Sequence, residues 1–368
     1  MRDLDKFRGC LLGGAAGDAL GYEVEFMKAP AIFRRYGDCG ITSYALHGGL
    51  ARISDDTQMT LFTAAGLLTG TTRGMLRGVM GDYADYIAYN YQDWLRTQDQ
   101  DLLPAGAHRY SWLMNEPRLY SRRAPGLTCL SALGSGIFGR IDRPINNSKG
   151  CGGIMRVAPI GLYFVDRKMP LEQVDRLGAE AAALTHSHEL GWLSAAVLVH
   201  IIHQLVYHPS TRIDRAAVDA LNTVEKIFPK AAHMGDLREL VEKAMMLARE
   251  DRDDLTAIEM LGGGWVGEET LAIALYCTCK YSNDFDRALI ASVNHGGDSD
   301  STGAVTGNIL GASLGLAGIP AKYREKLELS DVILEIADDL YHDCRLNEYG
   351  DCADPVWEKK YVTCTYRK

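Results

Sequence analysis

Two glycine-spaced stretches, "GCLLGGAAGDALG" at residues 9–21 and "GAVTGNILGASLG" at residues 303–315, decide the fold. Glycine recurs at every fourth residue in both, namely at Gly9, Gly13, Gly17, Gly21, Gly303, Gly307, Gly311 and Gly315. Glycine inside a helix costs about 1 kcal/mol relative to alanine, so this many positions need a compensating gain. At this spacing the glycines lie on one helix face, where a second backbone can approach closely. We therefore predict that two helices, one from each end of the chain, pack together at the centre of a single domain spanning residues 1–368.

Helical periodicity dominates the rest of the chain. In "DLRELVEKAMMLARE" (residues 236–250) apolar residues recur at three- and four-residue steps, at Leu237, Leu240, Val241, Ala244 and Ala248. The stretch "SDVILEIADDLY" opens on Ser330, which we predict to be the N-cap, with Asp331 in the first turn, where the helix dipole favours an anion. Alternating segments of strand length are scarce, so the sequence predicts an all-α fold.

Composition excludes several classes of function. The 368 residues are 47% hydrophobic and 24% charged, as in ordinary globular proteins, and the net charge of −9 argues against a nucleic-acid partner. Nine scattered cysteines and an N-terminus, "MRDLDKFRG", without an apolar signal-peptide core indicate a reducing, cytoplasmic setting. The apolar windows 190–207 and 303–319 carry polar residues or glycines, so we expect buried helices there and no membrane association.

The middle of the chain, from about Tyr91 to Gly150, has a different composition. Segments such as "NEPRLYSRRAPG" and "RIDRPINNSKGCGG" are rich in Pro, Gly, Asn and Arg, which predicts an irregular region. Long loops inside a compact domain are more often functional than idle. We expect this region to help form a cleft.

Two adjacent aspartates in "ISDDTQMT" (residues 53–60) are the first candidate for chemistry. Ser54 or Asp55 can cap a helix that begins near Thr57, an effect of about 0.5–2 kcal/mol. Capping accounts for one acid but leaves a second beside it. The alternative is that Ser54, Asp55 and Asp56 present oxygen ligands to a hard cation.

A second acidic cluster favours the cation. In "HGGDSDSTGAVTG" (residues 295–307), Asp298 and Asp300 directly precede the second glycine-spaced helix, beside hydroxyl side chains that include Ser301. If the two clusters meet, they form a site with a charge of about −4, and crowded carboxylates either take up protons or recruit cations. Ligand sets made only of oxygen suit Mg²⁺, Mn²⁺ or Ca²⁺. Two divalent ions would balance the charge and could polarise oxygens of a substrate.

Five motifs in one order resemble the ADP-ribosylglycohydrolases, a family that includes dinitrogenase reductase-activating glycohydrolase and the ADP-ribosylarginine hydrolases. They are "RGCLLGGAAGDALGYEVEF", "ISDDTQMT", "NSKGCGGIMRVAPIGL", "LTHSHELGW" and "HGGDSDSTGAVTGNILG", and they span about Arg8 to Tyr341. Ser301 and the run "LGGGWVGEETLAIALY" look closer to the arginine branch, since members of the serine branch more often carry Thr where Ser301 stands.

The resemblance implies an orthogonal multi-helix bundle with a central two-metal cleft holding two Mg²⁺, or Mn²⁺, ions. The implied metal ligands are Ser54, Asp55, Asp56, Asp298, Asp300 and Ser301. Glu25, in "YEVEF", would lie on a mobile loop over the metals. The implied substrate-binding residues are Gly150, Gly152, Gly153, Met155, His186, Gly264 and Trp265.

Several of these residues have plainer explanations. The glycine-rich turn at Gly150 could cradle a pyrophosphate with its amides or could simply be a bend before a helix. Without the resemblance, His186 and His188 would be loop or helix-cap histidines. Trp265 could line the distal ribose or adenine, or belong to the core.

The resemblance implies hydrolysis of the N-glycosidic bond between ADP-ribose and a modified arginine on a protein, with Asp56 or Glu25 as the general base. One alternative keeps the chemistry and changes the leaving group to ADP-ribosylserine or another O-linked ADP-ribose. A further alternative is an immunity protein that blocks an ADP-ribosyltransferase toxin by docking to it.

Overall fold

The computed structural model describes residues 2–99, 108–165 and 169–368. The α-helices are α1 Leu4–Gly21, α2 Ala29–Tyr36, α3 Asp55–Arg77, α4 Tyr83–Gln98, α5 Leu127–Gly134, α6 Ala158–Tyr163, α7 Leu171–Ala183, α8 Glu189–Tyr207, α9 Ile213–Ile227, α10 Met234–Leu247, α11 Asp254–Glu259, α12 Gly267–Lys280, α13 Phe285–Val293, α14 Ser299–Leu314, α15 Ala321–Arg324, α16 Ser330–His342 and α17 Pro355–Tyr361. Short 3₁₀ helices cover Trp112–Asn115, Pro117–Leu119, Cys151–Gly153 and Leu316–Gly318. Extended pairing within these residues is limited to isolated bridges, which confirms the predicted all-α class.

The helices α1 and α14 form the centre of the bundle through their glycine faces. A Cβ atom built on Gly17 would lie 1.9 Å from the carbonyl oxygen of Gly303, and one on Gly13 would lie 2.5 Å from that of Gly307. The partner residue number rises as the α1 number falls, so the two helices run antiparallel. The carboxyl end of α1 therefore meets the amino end of α14, where a Cβ on Gly21 would lie 2.1 Å from the oxygen of Ser299.

The periodic stretch at residues 236–250 forms most of α10, and Leu237, Val241 and Ala244 are buried as predicted. The predicted cap at Ser330 is wrong. Ser330 is already the first residue of α16, and Leu329 precedes it with a φ of 57°, in the left-handed region. Asp331 does lie in the first turn.

The predicted irregular region from Tyr91 to Gly150 is partly wrong. Residues 91–98 complete α4, because the apolar spacing continues through Trp94 and Leu95, which pack into the core. Residues 127–134 form α5. Residues 100–107 lie outside the described part of the chain.

The apolar window at residues 190–207 forms α8. This helix is long and apolar enough to cross a membrane, yet 89% of its 18-residue apolar window is buried inside the protein. Such burial is typical of a core helix. The second apolar window, at residues 303–319, covers most of α14 and the short 3₁₀ helix after it, and most of its residues are likewise buried.

Candidate active site

The amino end of α3 presents the first acidic cluster. Ser54 is the N-cap, and its hydroxyl oxygen accepts a hydrogen bond from the amide of Asp56 at 3.2 Å, which confirms the capping prediction. Asp55 and Asp56 occupy the first turn and are buried, although charged side chains rarely are. The carboxylate of Asp56 has one buried oxygen, Oδ2, without a hydrogen-bond partner. A cap alone does not explain that oxygen.

The amino end of α14 presents the second acidic cluster. Asp298 is the N-cap, and its carboxylate accepts from the amide of Ser301 at 3.3 Å. Asp300 accepts from the same amide at 3.0 Å. All three side chains are buried. Both clusters are therefore built in the same way, on helix termini whose dipoles favour negative charge.

Asp18, the residue after Gly17 in α1, connects the two clusters. Its fully buried carboxylate accepts hydrogen bonds from the amides of Ser54, at 2.9 and 3.1 Å, and Thr57, at 3.1 Å, and from the Thr57 hydroxyl. Asp18 thus holds the start of α3 at the end of α1, beside the start of α14. Sequence reasoning missed this residue, although an acid inside the motif "GAAGDALG" was a usable signal.

Electrostatics show that the two clusters lie close together. Burial raises the pKa of Asp55 and of Asp56 well above the usual range, and the next cause in each case is the charge of Asp300 on the other helix. Burial and then Asp300 also raise the pKa of Asp18 to about 7. The structure therefore brings together the acids that the sequence predicted would meet.

Glu25 lies over this cluster, in the turn between α1 and α2. Its carboxylate is buried, and burial followed by the charges of Asp300, Asp298 and Asp55 raises its pKa to about 11. The Oε2 atom of Glu25 has no hydrogen-bond partner. A cation placed among these groups would reverse the shift, because an opposite charge favours the ionised carboxylate.

The donor set suits a hard divalent cation. Its side-chain oxygens come from aspartates, a glutamate and two serines, and buried oxygens of Asp56 and Glu25 lack partners. No three His, Cys, Asp or Glu side chains in the described ranges are close enough to form a ready-made cage. Serine hydroxyls, water and substrate oxygens would therefore have to complete the coordination, as is common for Mg²⁺.

The glycine-rich turn packs against His186. Cys151–Gly153 forms a 3₁₀ turn, and a Cβ atom on Gly152 would lie 2.8 Å from Cε1 of His186. Burial, and then the charge of Arg156, lowers the pKa of His186 to about 3, so its ring is neutral and supports the turn. Met155 is buried at the end of the same turn. His188, by contrast, caps α8 by accepting from the amide of Leu190 at 3.1 Å.

The segment 263–265 connects this turn to the second acidic cluster. The oxygen of Gly263 accepts from the amide of Asp298 at 2.8 Å, and that of Trp265 accepts from the amide of Cys151 at 3.2 Å. Gly264 has a φ of 78°, and a Cβ there would lie 2.7 Å from Cγ2 of Thr302, so close approach requires glycine. Trp265 is 45% exposed and is therefore not a core residue.

The irregular middle of the chain contributes one wall, as expected. The oxygen of Arg123 accepts from the amide of Asp55 at 3.1 Å, and the amide of Gly126 donates to Oδ2 of Asp55 at 3.3 Å. A cavity of about 440 Å³ beside Arg212 and Cys279 is lined by none of the site residues. The converging carboxylates, rather than a large cavity, distinguish the candidate site.

Comparisons with known proteins agree with this arrangement. The chain is 26% identical to "ADP-ribosylhydrolase ARH3" of Danio rerio, over 92% of this chain and 90% of that protein. It is 25% identical to "ADP-ribosylarginine hydrolase Tri1" of Pseudomonas putida, over 92% of this chain and 78% of that protein. A solved structure described as an "ADP-ribosylglycohydrolase-related protein complex" shares the fold, with a TM-score of 0.62, 24% identity, and coverage of 92% of this chain and 98% of that one. The sequence profile of the family described as ADP-ribosylglycohydrolase matches residues 1–350, so this chain belongs to the ADP-ribosylglycohydrolase family.

Proposed function

We propose that this protein removes ADP-ribose from modified arginine on proteins by hydrolysing the N-glycosidic bond. The observation that carries the proposal is the convergence of Ser54, Asp55 and Asp56 with Asp298 and Asp300 at two adjoining helix amino ends, with Glu25 above them. Family membership supports a hydrolase that acts on ADP-ribosylated substrates. The proposal is more specific than the family in naming arginine as the modified residue. The similarity to an enzyme named for the arginine linkage supports that choice.

We also propose that two divalent cations, Mg²⁺ or Mn²⁺, bind here. Ser54, Asp55 and Asp56 would hold one side of the pair, and Asp298, Asp300 and Ser301 the other. When bound, the ions would supply the positive charge that orients ribose hydroxyls and a water molecule. The turn of Gly150, Gly152 and Gly153, which packs against the His186 ring, would bind the pyrophosphate.

The general base has two candidates in this arrangement. Asp56 and Glu25 each keep a buried carboxylate oxygen without a hydrogen-bond partner. Either oxygen can accept a proton from the attacking water as the bond from the distal ribose C1 to the arginine nitrogen breaks. The leaving guanidine regains a proton, so charge balances over the cycle.

A linkage-specific release assay tests the activity. Proteins modified at arginine and proteins modified at serine are incubated with the enzyme, and released ADP-ribose is measured by chromatography. We expect release from arginine. Release from serine alone would replace the proposal with the O-linked alternative.

Chelation and carboxylate removal test the metal site. EDTA should abolish turnover, and Mg²⁺ or Mn²⁺ should restore it; full activity in EDTA would contradict the metal assignment. Asp56→Ala and Asp300→Ala should each abolish activity. Asp351→Asn, which removes an exposed carboxylate outside the candidate site, is the matched control and should remain fully active.

The cellular partners follow from the reaction. Removal of ADP-ribose presupposes an enzyme that attaches it, and we propose an ADP-ribosyltransferase, such as a toxin, as that enzyme. All nine cysteines are free, which supports our proposal of a reducing, cytoplasmic setting. If the protein protects by docking instead, Asp56→Ala should still capture the transferase in a pull-down and still protect cells.

A further inference from the structure

Two exposed aromatic side chains face each other beside the candidate site. Phe26 is 74% exposed and Trp265 is 45% exposed. Their ring centroids lie 6.3 Å apart, and the ring planes differ by 27°. Singly exposed aromatics are common and need no explanation, whereas adjoining exposed apolar side chains can mark an interaction site.

Contacts of the two segments place this pair near the acidic clusters. Phe26 follows the buried Glu25 directly, and the segment after it packs on the turn that leads to Asp298: a Cβ on Gly296 would lie 2.4 Å from the amide of Ala29. Trp265 follows Gly264, where a Cβ would lie 2.7 Å from Cγ2 of Thr302 and 3.3 Å from the backbone oxygen of Asp298. The pair therefore bridges the turn that carries Glu25 and the loop beside the second acidic cluster.

Charge and geometry indicate what the pair binds. Under the proposed function Glu25 acts at the scissile bond, so the aromatic pair beside it would lie on the side of the leaving group rather than at the far end of ADP-ribose. A guanidinium is planar, always charged and weakly hydrated, so it is suited to contact with an aromatic face. Cations within about 6 Å of an aromatic ring centroid are attracted to the ring face.

We propose that Phe26 and Trp265 recognise the acceptor, with the guanidinium of the ADP-ribosylated arginine lying against their ring faces. This inference rests on the proposed function and adds the residues that determine the linkage specificity. Serine offers a short, neutral oxygen in place of the guanidinium, so it gains nothing from the aromatic faces. The pair would therefore favour arginine over serine.

Leucine variants test the inference. Phe26→Leu and Trp265→Leu keep an apolar side chain and remove the ring, whereas Phe26→Tyr and Trp265→Phe keep an aromatic face. We expect kcat/KM for arginine-linked substrate to fall about fivefold to thirtyfold in the leucine variants, mainly through KM, as loss of one or two cation–π contacts implies. The aromatic variants should stay within about threefold of wild type. Turnover of serine-linked substrate and binding of free ADP-ribose should not change.

Tyr349→Leu is the matched control, because it removes an aromatic ring about as exposed as that of Phe26 and far from the site. Its neighbour Glu348 lies against Gly78, at the other end of α3 from Ser54, and that helix is about 34 Å long. If wild type releases only serine-linked ADP-ribose, the proposed function is wrong. If wild type releases arginine-linked ADP-ribose and the leucine variants keep the wild-type arginine-to-serine ratio, the inference is wrong. A loss of affinity for free ADP-ribose in those variants would also overturn it, since the pair would then stack on adenine.

Discussion

Replacing Gly17 with alanine should push α1 and α14 apart and destabilise the whole protein. The new Cβ atom would lie 1.9 Å from the oxygen and 2.3 Å from the carbonyl carbon of Gly303. Real Cβ atoms essentially never come within 3.0 Å of such atoms, so the shorter contact has to lengthen by at least the difference, 1.1 Å. The obstacle is backbone, which cannot rotate away as a side chain can.

The size of the effect follows from two opposing contributions. Overfilling a packed core costs about 1–3 kcal/mol, occasionally more, while alanine stabilises a helix by about 1 kcal/mol relative to glycine. Gly13 and Gly21 lie on either side at the same interhelical spacing, so moving the helices apart at Gly17 also loses packing at those two positions. We therefore expect the overfilling cost to exceed its usual range and the free energy of unfolding to fall by a net of about 2 kcal/mol or more.

Urea unfolding at constant m-value measures this change. Gly235→Ala is the matched control, because Gly235 lies in α10 and a Cβ there meets no atom within 4 Å. The control should be neutral or stabilised by up to about 1 kcal/mol. If Gly17→Ala unfolds at the same urea concentration as Gly235→Ala, the glycine faces do not set the helix spacing. Activity should also fall in Gly17→Ala, because Asp18 is the next residue.

Two further predictions concern residues that support the site. Asp18→Asn keeps one acceptor oxygen but loses the second, so the start of α3 should be held less firmly. The affinity for Mn²⁺ should then fall about 10- to 100-fold, as for other residues that orient ligands. Calorimetric titration would measure that affinity, and an unchanged value would show that Asp18 does not position the metal ligands. His186 has a folded-state pKa of about 3 against 6.5 when unfolded, so it contributes stability that is present above pH 6.5 and is lost as pH falls towards 3. In urea unfolding at several pH values, the free energy of unfolding of wild type should exceed that of His186→Gln by less as pH falls from 6.5 towards 3. If the two free energies change in parallel with pH, the lowered pKa of His186 is contradicted.

Local rules predicted the glycine faces and the helix ends on which the candidate site is built. A glycine at every fourth residue specifies a smooth helix face whatever the rest of the fold, and the faces of Gly17 and Gly303 do meet. Cap preferences likewise placed Ser54 and Asp298 at helix amino ends, because capping depends on a few neighbouring residues.

Features that depend on contacts between distant segments could not be predicted. The antiparallel direction of α1 and α14 is not contained in the glycine spacing, which fits either direction. An acid within a glycine-rich helix marks Asp18 as unusual, but the sequence does not show that it accepts hydrogen bonds from Ser54 and Thr57. The pairing of Phe26 with Trp265 depends on how two loops pack. Ser330 failed as a predicted cap because a left-handed Leu329 starts that helix instead.

The acidic cluster should make the protein less stable without a cation. Each helix amino end offers about half a positive charge, so two ends offset about one unit of the charge on Asp18, Glu25 and the two acidic clusters. Asp300 is central to the imbalance, because its charge contributes to the raised pKa of Asp18, Glu25, Asp55, Asp56 and Asp298.

Asp300→Asn should therefore raise the unfolding temperature of the EDTA-treated protein above that of EDTA-treated wild type while abolishing turnover, a separation of stability from function. Wild type should gain about 2.7 kcal/mol from Mg²⁺ at 100 times its dissociation constant, and the variant should gain much less. Thermal unfolding with and without Mg²⁺ measures both effects, with Asp351→Asn as the control for loss of one charge. A metal-free variant less stable than wild type would mean that Asp300 stabilises the fold directly, through its bond to the Ser301 amide, and that repulsion within the cluster is the smaller effect.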